Sequence, residues 1–211
     1  MGAARQGELF SAAAARGGGC GGAAELPLLR HQLQAWQWAL ARHQAPLFAG
    51  GDRGRQVELF EPLQPNAAIT TAQPLDSPAS LNPLRLQAQP LSFWRWPDPP
   101  QRGAALYFVL DSLADGPGQG LQPLLLYVGE TGRADRRWKG EHDCKRYLAS
   151  YSEALARVRI TSRPNIRFWL DAPQAARPRQ AFEQALIQRW LPPFNKETRQ
   201  RWGTPFTADG D

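Results

Sequence analysis

Residues 124–132 read Leu-Leu-Leu-Tyr-Val-Gly-Glu-Thr-Gly, an apolar run that passes through Tyr127 and reaches two glycines. A short apolar run bounded by glycines is typical of a buried β-strand that ends in a turn. The cationic sequence RADRRWK follows at once, at residues 133–139. Two interpretations are open. One is a core strand with a tyrosine at its solvated end and an exposed helix after it, and the other is a tyrosine and an arginine that meet over a phosphate.

The composition excludes several classes of protein. With 211 residues, the chain can hold one good-sized domain or a small domain with a long appendage. Its two cysteines, Cys20 and Cys144, exclude a disulfide scaffold, and they cannot complete a four-ligand zinc site without help from the three histidines. No apolar run has the length of a membrane span, and the N-terminus lacks the basic-then-apolar pattern of a signal peptide. We therefore expect a cytoplasmic protein without membrane contact.

Basic residues are concentrated in the C-terminal half of the chain. The formal net charge is +6, and residues 133–201 alone hold sixteen basic against seven acidic residues. A local excess of this size suits a polyanionic partner such as DNA. A solvated basic face is the alternative when charge is the only observation.

The first 102 residues predict an irregular, Pro/Gly-rich N-terminal extension. Residues 1–24 are rich in Ala and Gly, and nine prolines lie from residue 62 to residue 100, which favours an extended or partly disordered chain. Pro46 is expected just beyond the end of one short helix. That helix is predicted at about residues 27–43, where apolar residues recur at helical spacing: Leu29, Leu33, Trp36 and Leu40.

Residues 103–200 predict one α/β domain, followed by a C-terminal tail at residues 201–211. The order of elements is β-β-α-(α)-β-α, which favours a small, mainly antiparallel sheet of three strands flanked by helices. The strands are predicted at residues 104–110, 124–128 and 166–170. Helices are predicted at residues 133–150 and 178–190, and residues 151–158 are predicted as another helix or as the continuation of the first. A pair of prolines ends the last helix.

Five residues of this domain occur in an order that is typical of a nuclease family. Tyr107 and Tyr127 lie in the first two predicted strands, within LYF and YVG, and Arg137 follows ten residues after Tyr127. Glu183 lies in the last helix, and Asn195 closes the sequence PPFN. In these motifs, over about residues 103–198, the chain resembles the GIY-YIG nuclease superfamily, although an alanine, at position 105, stands where the first motif of that family has a glycine.

The resemblance implies a role for each of the five residues in the hydrolysis of a phosphodiester bond. Glu183 would be the single protein ligand of Mg²⁺ (or Mn²⁺), and Arg137 would fork onto the scissile phosphate, which lysine cannot do. Tyr107 is the general-base candidate, a role that requires nearby cations to lower the pKa of its phenol, and Tyr127 would orient water or phosphate. Asn195 would tie the end of the domain to the site. Two strand tyrosines that cap a core are the alternative interpretation.

Further residues close to Arg137 in the sequence are candidates for the site. His142 is a catalytic candidate, but it lies five residues after Arg137, where several members of the family place a histidine at four. On a helix, residues five apart lie on different faces, so His142 would not lie on the same face as Arg137. Contacts with DNA phosphates are predicted for four cationic residues: Arg133, Arg136, Lys139 and Lys145.

Together these features predict a Mg²⁺-dependent DNA endonuclease that acts by hydrolysis without a covalent intermediate. The sequence lacks a recognisable zinc-binding module, helix-hairpin-helix tail or string of small DNA-binding modules, each of which marks another branch of the family. We therefore expect an enzyme of DNA repair or recombination that cuts structured DNA and associates with the nucleoid. A restriction-type endonuclease is one alternative, and a non-catalytic DNA-binding or adaptor protein that retains the fold is another.

A hexapeptide occurs twice in the extension. Residues 5–10 read RQGELF and residues 55–60 read RQVELF, so that five of six positions agree. The pattern Gln-x-x-Leu-Phe resembles the short peptide by which bacterial DNA enzymes bind the sliding clamp, which implies that Leu and Phe fill an apolar pocket while the Gln amide fixes the register. Coincidence, or a short strand packed on the domain, is the alternative. The predicted clamp-binding residues are Gln6, Leu9, Phe10, Gln56, Leu59 and Phe60.

Overall fold

Four antiparallel strands form one sheet in this computed structural model, which describes residues 28–50, 80–92, 101–113, 121–137, 139 and 143–204. The predicted α/β class and the antiparallel pairing are confirmed. The order across the sheet is β1-β4-β2-β3. The strands are β1 (Gln89–Pro90), β2 (Ala105–Leu113), β3 (Gln122–Thr131) and β4 (Asn165–Trp169).

The prediction of three strands is wrong, because β1 is an additional strand at the edge of the sheet. In β1, Gln89 pairs with Ile166 and Pro90 pairs with Asn165 of β4. Two residues cannot show the apolar alternation by which a strand is recognised in a sequence, and a proline belongs at a sheet edge because it has no N–H to donate. This strand is therefore defined by its pairing with β4 and not by its own residues.

Five α-helices accompany the sheet in the described part of the chain, and none of them is long and apolar enough to cross a membrane. The single helix predicted at residues 133–150 is wrong, because a short helix ends at Arg137 and a separate one begins at Asp143 and runs through most of the predicted 151–158. The last helix, which lies across the predicted end of the domain, was not predicted. The helices are α1 (Arg30–Ala49), α2 (Ala134–Arg137), α3 (Asp143–Arg157), α4 (Ala176–Trp190) and α5 (Lys196–Trp202).

Helix α1 is part of the core, although the sequence places it in the extension. Leu33 and Leu40, two of the apolar residues that predicted the helix, are fully buried against the sheet. The helix continues to Ala49, so Pro46 lies inside it and not beyond its end, and the Gly50 N–H closes the last turn on the Pro46 carbonyl. A proline removes one helical hydrogen bond, and the burial of α1 outweighs that loss.

The core lies on both faces of the sheet. Successive residues of β2 alternate between them: Tyr107 and Val109 pack with α1 and α3, whereas Leu106 and Phe108 pack with α4. All four side chains are fully buried. Tyr107 is therefore a core residue as well as a candidate for the site.

A buried polar network joins α1 to the sheet. Asp111, which is 1% exposed, accepts hydrogen bonds from the hydroxyls of Tyr151 and Ser162, each at 2.8 Å, and from the Arg163 N–H at 2.7 Å. Gln37 of α1 donates to the same Tyr151 hydroxyl at 2.8 Å. A buried carboxylate requires several donors. These donors come from distant parts of the chain, and they explain why β2 continues through Asp111, beyond the predicted end of this strand at residue 110.

The outer edge of β3 is occupied by groups from other elements. The Gln44 side chain of α1 bonds both backbone groups of Leu125, at 2.8 and 3.0 Å. The Phe194 N–H donates to the Leu126 carbonyl at 3.1 Å. Two residues of the candidate site continue this row of contacts along β3, and β3 thereby acquires partners on the side where the sheet ends.

Candidate active site

Two tyrosines enclose Gly129 of strand β3. Tyr107 lies opposite Gly129 in the register of β2 and β3, and its ring centroid is 5.9 Å from that of Tyr127. A Cβ atom added to Gly129 would lie 2.3 Å from Cζ of Tyr107 and 2.7 Å from Cε1 of Tyr127. The two rings therefore require a residue without a side chain between them, which is a reason for glycine that the YVG motif alone does not reveal.

Arg137, the last residue of α2, reaches the same pair of tyrosines. Its Nε donates to the Tyr107 hydroxyl at 3.1 Å, while the residue as a whole remains exposed to solvent. Helix α2 is held against the start of β2, because the Ala134 N–H donates to the Gly103 carbonyl at 2.8 Å. Arg137 thus connects a fully buried phenol with the surface of the protein.

Burial raises the pKa of both tyrosine hydroxyls. The pKa of Tyr107 lies well above its usual value because the hydroxyl is desolvated and Tyr127 is adjacent, and the lowering effect of Arg137 is smaller. Burial also raises the pKa of Tyr127 to about 12. A general base works best with a pKa near the pH of the reaction. The predicted influence of a cation on Tyr107 is present, but burial outweighs it, and both phenols remain protonated at neutral pH.

Glu183 of α4 faces the same segment of β3. Its Oε1 accepts a hydrogen bond from the Glu130 N–H at 3.0 Å. Burial, followed by the neighbouring carboxylate of Glu130, raises the pKa of Glu183 to about 7, against the lowering effects of that N–H and of Arg137. Two nearby carboxylates repel each other, so the charged form of Glu183 is disfavoured unless a cation is added.

The surroundings of Glu183 are suited to a divalent cation. Its carboxylate is half-buried, and no donor of the described residues contacts its Oε2. Among those residues there is also no group of three or more His, Cys, Asp or Glu side chains that could hold a metal ion. Mg²⁺ commonly binds through one or two carboxylates and takes its other ligands from water and substrate phosphate. A single carboxylate whose charge is otherwise unfavourable fits that mode of binding.

The side chain of Asn195 is bonded to the backbone of β3. Its Oδ1 accepts from the Val128 N–H at 3.0 Å, and its Nδ2 donates to the Val128 carbonyl at 2.8 Å. Asn195 is only 4% exposed. Both ends of the amide are therefore engaged with β3, in the manner of a neighbouring strand.

The chain matches no protein-family model, no curated protein and no solved structure. Tyr107, Tyr127, Arg137, Glu183 and Asn195 come together around residues 127–130 of β3. They come from four different elements and from the turn before α5.

The sequence did not reveal a buried ion pair beside Glu183. Nε of Arg179 donates to Oε2 of Glu130 at 2.6 Å, and their side chains are 6% and 22% exposed. Two signals were available: an acid directly after YVG, and an arginine one helical turn before Glu183. That these two residues face each other is decided by the docking of α4 on β3, which no local pattern encodes.

The cationic candidates lie on the surface or at its margin. Arg133 and Arg136 are exposed at α2, Lys139 is exposed in the turn after it, and Lys145 is half-buried in α3. His142 lies outside the described residues. The same is true of the predicted clamp-binding residues Gln6, Leu9, Phe10, Gln56, Leu59 and Phe60.

The raised pKa of Glu183 predicts how the stability of the metal-free protein depends on pH. Because the folded-state pKa of about 7 exceeds the value of 4.5 expected without burial, this carboxyl stabilises the fold fully below the lower value and loses that contribution as the pH rises through the higher one. Glu183→Gln removes this dependence. In EDTA, we expect the Tm of the variant relative to wild type to be higher at about pH 8.5 than at about pH 5. A difference in Tm that is the same at both values would contradict the burial of this charge.

Proposed function

We propose that the protein is a Mg²⁺-dependent DNA endonuclease of the GIY-YIG type, which hydrolyses phosphodiester bonds in structured DNA during repair or recombination. The observation that carries this proposal is the cluster around Gly129. It joins an exposed guanidinium, two phenols and a half-buried carboxylate that are far apart in the sequence. Cleavage of a phosphodiester requires neutralisation of phosphate charge, an activated water and a proton for the leaving oxygen. Within the cluster, Arg137 is suited to the phosphate charge, and Glu183 is suited to a divalent cation that would activate water.

Arg137 is the group that we assign to the scissile phosphate. The bond from its Nε to Tyr107 fixes the direction of the guanidinium, and its exposed position leaves it accessible to a DNA backbone. A guanidinium has five N–H donors in one plane and can bind two phosphate oxygens at once. The buried phenol of Tyr107 therefore acts as a fixed support for the arginine.

Glu183 is the residue that would hold Mg²⁺. A bound Mg²⁺ would supply positive charge at the phosphate and lower the pKa of a coordinated water. The Glu130 N–H holds one oxygen of Glu183 in place, so that the carboxylate has a defined position before any cation or substrate arrives. Tyr127, whose pKa is raised by burial, is assigned to the orientation of water or phosphate by donation from its hydroxyl.

A nuclease assay tests the function directly. Purified protein is incubated with supercoiled plasmid and with branched and linear DNA, in Mg²⁺ or in EDTA. We expect branched DNA to be cleaved in Mg²⁺ and not in EDTA. Sequence-specific cleavage of linear DNA would favour a restriction-type enzyme, and binding without cleavage would favour a non-catalytic DNA-binding or adaptor protein.

Substitution of Arg137 separates phosphate recognition from simple charge. We expect Arg137→Lys to lose roughly 10²–10³-fold in single-turnover cleavage, nearly as much as Arg137→Ala, because lysine keeps the charge but loses the fork and the bond to Tyr107. Arg133→Ala is the matched control, since this neighbour is exposed and immediately precedes the same helix. It should weaken DNA binding modestly and reduce the dependence of binding on salt. Equal losses for the two arginines would make the helix a general electrostatic contact.

We further propose that the hexapeptides of the extension recruit the enzyme to the sliding clamp. This proposal is supported by sequence alone: two copies could bind two subunits of a ring and raise avidity through effective concentration. We expect Leu59→Ala/Phe60→Ala to weaken binding to purified clamp more than Leu9→Ala/Phe10→Ala. The first copy contains Gly7 where the second has Val57, and glycine loses more conformational entropy when the peptide becomes ordered. Wild type and variants that bind equally, or not at all, would remove the clamp from the proposed function.

A further inference from the structure

Arg179 is anchored on several sides at the start of α4. Its Nη1 donates to the carbonyls of Pro173 and Gln174, at 2.9 and 2.8 Å, in the segment that precedes the helix. Its Nε donates to Glu130 of β3, and a Cβ atom on Gly132 would lie 3.6 Å from its Nη2. Among side chains, only a guanidinium can donate hydrogen bonds to a carboxylate and two carbonyls from one planar group. Arg179 thus connects the beginning of α4 with the end of β3.

Glu130 is held by α4 at two points. Arg179 binds its carboxylate at 2.6 Å, and Glu183 accepts from its backbone N–H at 3.0 Å. Because Arg179 and Glu183 are four residues apart, they lie on the same face of the helix, one turn from each other. A movement of α4 that displaced Glu183 would also have to separate the ion pair.

We propose that Arg179 is a positioning residue for Glu183, which it holds in place through its ion pair with Glu130. The inference rests on the proposed function, since that function is what requires a fixed carboxylate at this point. Arg179 itself is not assigned to substrate, because its side chain is 6% exposed and its Nε and Nη1 are bonded within the protein. Displacement of a reacting group by about 1 Å can reduce a rate by about 10²-fold.

The test has to separate positioning from simple stabilisation. Arg179→Met alone leaves the half-buried Glu130 carboxylate without its cation, which destabilises the fold whatever the role of Arg179. The reference is Glu130→Gln, whose amide oxygen can still accept from Arg179. Because this variant leaves the buried guanidinium without its opposite charge, the urea midpoints of both variants are measured, so that a change in stability is distinguished from a change in position. The comparison is then made with Arg179→Met/Glu130→Gln, which removes both charges and leaves none unpaired.

Two backbone amides report the geometry without DNA or metal. The amide of residue 130 donates to Glu183, and the Val128 amide, two residues earlier on the same edge, donates to Asn195 at 3.0 Å. Relative to Glu130→Gln, we expect the double variant to exchange its residue-130 amide hydrogen faster, with Val128 unchanged. In single-turnover assays we expect it to cleave branched DNA about 10–100-fold more slowly. Arg177→Met, which removes an exposed arginine from the same turn of α4, should change neither measurement.

Each remaining outcome has a definite meaning. Faster exchange at both amides together, or cleavage equal to that of Glu130→Gln, would show that Arg179 is structural and would overturn the proposal. If the wild type cuts no DNA, the proposed function fails, while the exchange measurement still decides whether Arg179 positions Glu183. Should the double variant not fold, Arg179→Lys, which keeps the charge without the fork, is compared with wild type at the same two amides.

Discussion

Glu183→Gln is expected to abolish Mg²⁺-dependent cleavage while DNA binding is retained. The substitution is nearly isosteric, and its amide oxygen can still accept the Glu130 N–H, so that the fold and the edge of β3 are preserved. What is lost is the negative charge that would hold Mg²⁺. We expect a decrease of roughly 10³-fold or more in the single-turnover rate, equivalent to about 4 kcal/mol of transition-state stabilisation.

The control for this variant is Glu153→Gln. Glu153 is an exposed acid of α3 whose carboxylate is paired with Arg157 at the surface, and its replacement should leave the cleavage rate unchanged. DNA affinity, measured in EDTA by fluorescence anisotropy, should be unchanged or slightly increased for Glu183→Gln, because the substitution removes a negative charge from the proposed phosphate-binding surface. Near wild-type cleavage by Glu183→Gln would contradict the assignment of Glu183 to the active site.

Gly129→Ala is expected to destabilise the fold strongly, because the added methyl group has no room between the two tyrosines. The new Cβ would lie 2.3 Å from Cζ and 2.5 Å from the hydroxyl oxygen of Tyr107, and 2.7 Å from Cε1 of Tyr127. Tyr107 is fully buried and cannot swing aside without disturbing the core. We expect a loss of about 3 kcal/mol of stability, at the upper end of the cost of overpacking, together with the loss of the bond between Tyr107 and Arg137.

Gly132→Ala is the matched control for this prediction. It adds the same methyl group three residues further along the same chain segment, where the nearest heavy atom is Nη2 of Arg179 at an ordinary contact distance of 3.6 Å. Urea unfolding should therefore show little change for Gly132→Ala and a clearly lower midpoint for Gly129→Ala. Comparable midpoints for the two variants would mean that the tyrosine rings are free to move, and that they do not form a fixed support for Arg137.

The hairpin of β2 and β3 could be predicted because its signals are local. Apolar runs bounded by glycine and proline mark both strands. Their register could not be predicted, because it shifts between Val109 and Leu110. The helix around Leu33 and Leu40 is likewise visible from its spacing. Strand β1 could not be predicted, because two residues acquire their conformation from β4 alone.

Part of the candidate site could likewise be predicted from local sequence signals, whereas the rest depends on how distant elements pack. The motif residues could be selected because a tyrosine, an arginine and a glutamate at these spacings resemble a known family. Their partners could not be selected: the pairing of Glu130 with Arg179 depends on how α4 lies against β3, and the satisfaction of Asp111 depends on donors from α3 and the segment before β4. The raised pKa of Tyr107 is of the same kind, since composition cannot show how deeply a particular hydroxyl is buried.

The row of groups along the outer edge of β3 has a consequence for self-association. An uncovered edge strand is a template on which a second chain can add, and this is a common route to aggregation. Here Gln44, Asn195 and Glu183 occupy backbone groups at Leu125, Val128 and Glu130, so the proposed metal ligand is also a cap that keeps other chains away. For a variant such as Glu183→Ala we therefore expect two defects, loss of the proposed cleavage and stronger self-association, and insolubility of this variant would not by itself be evidence about catalysis.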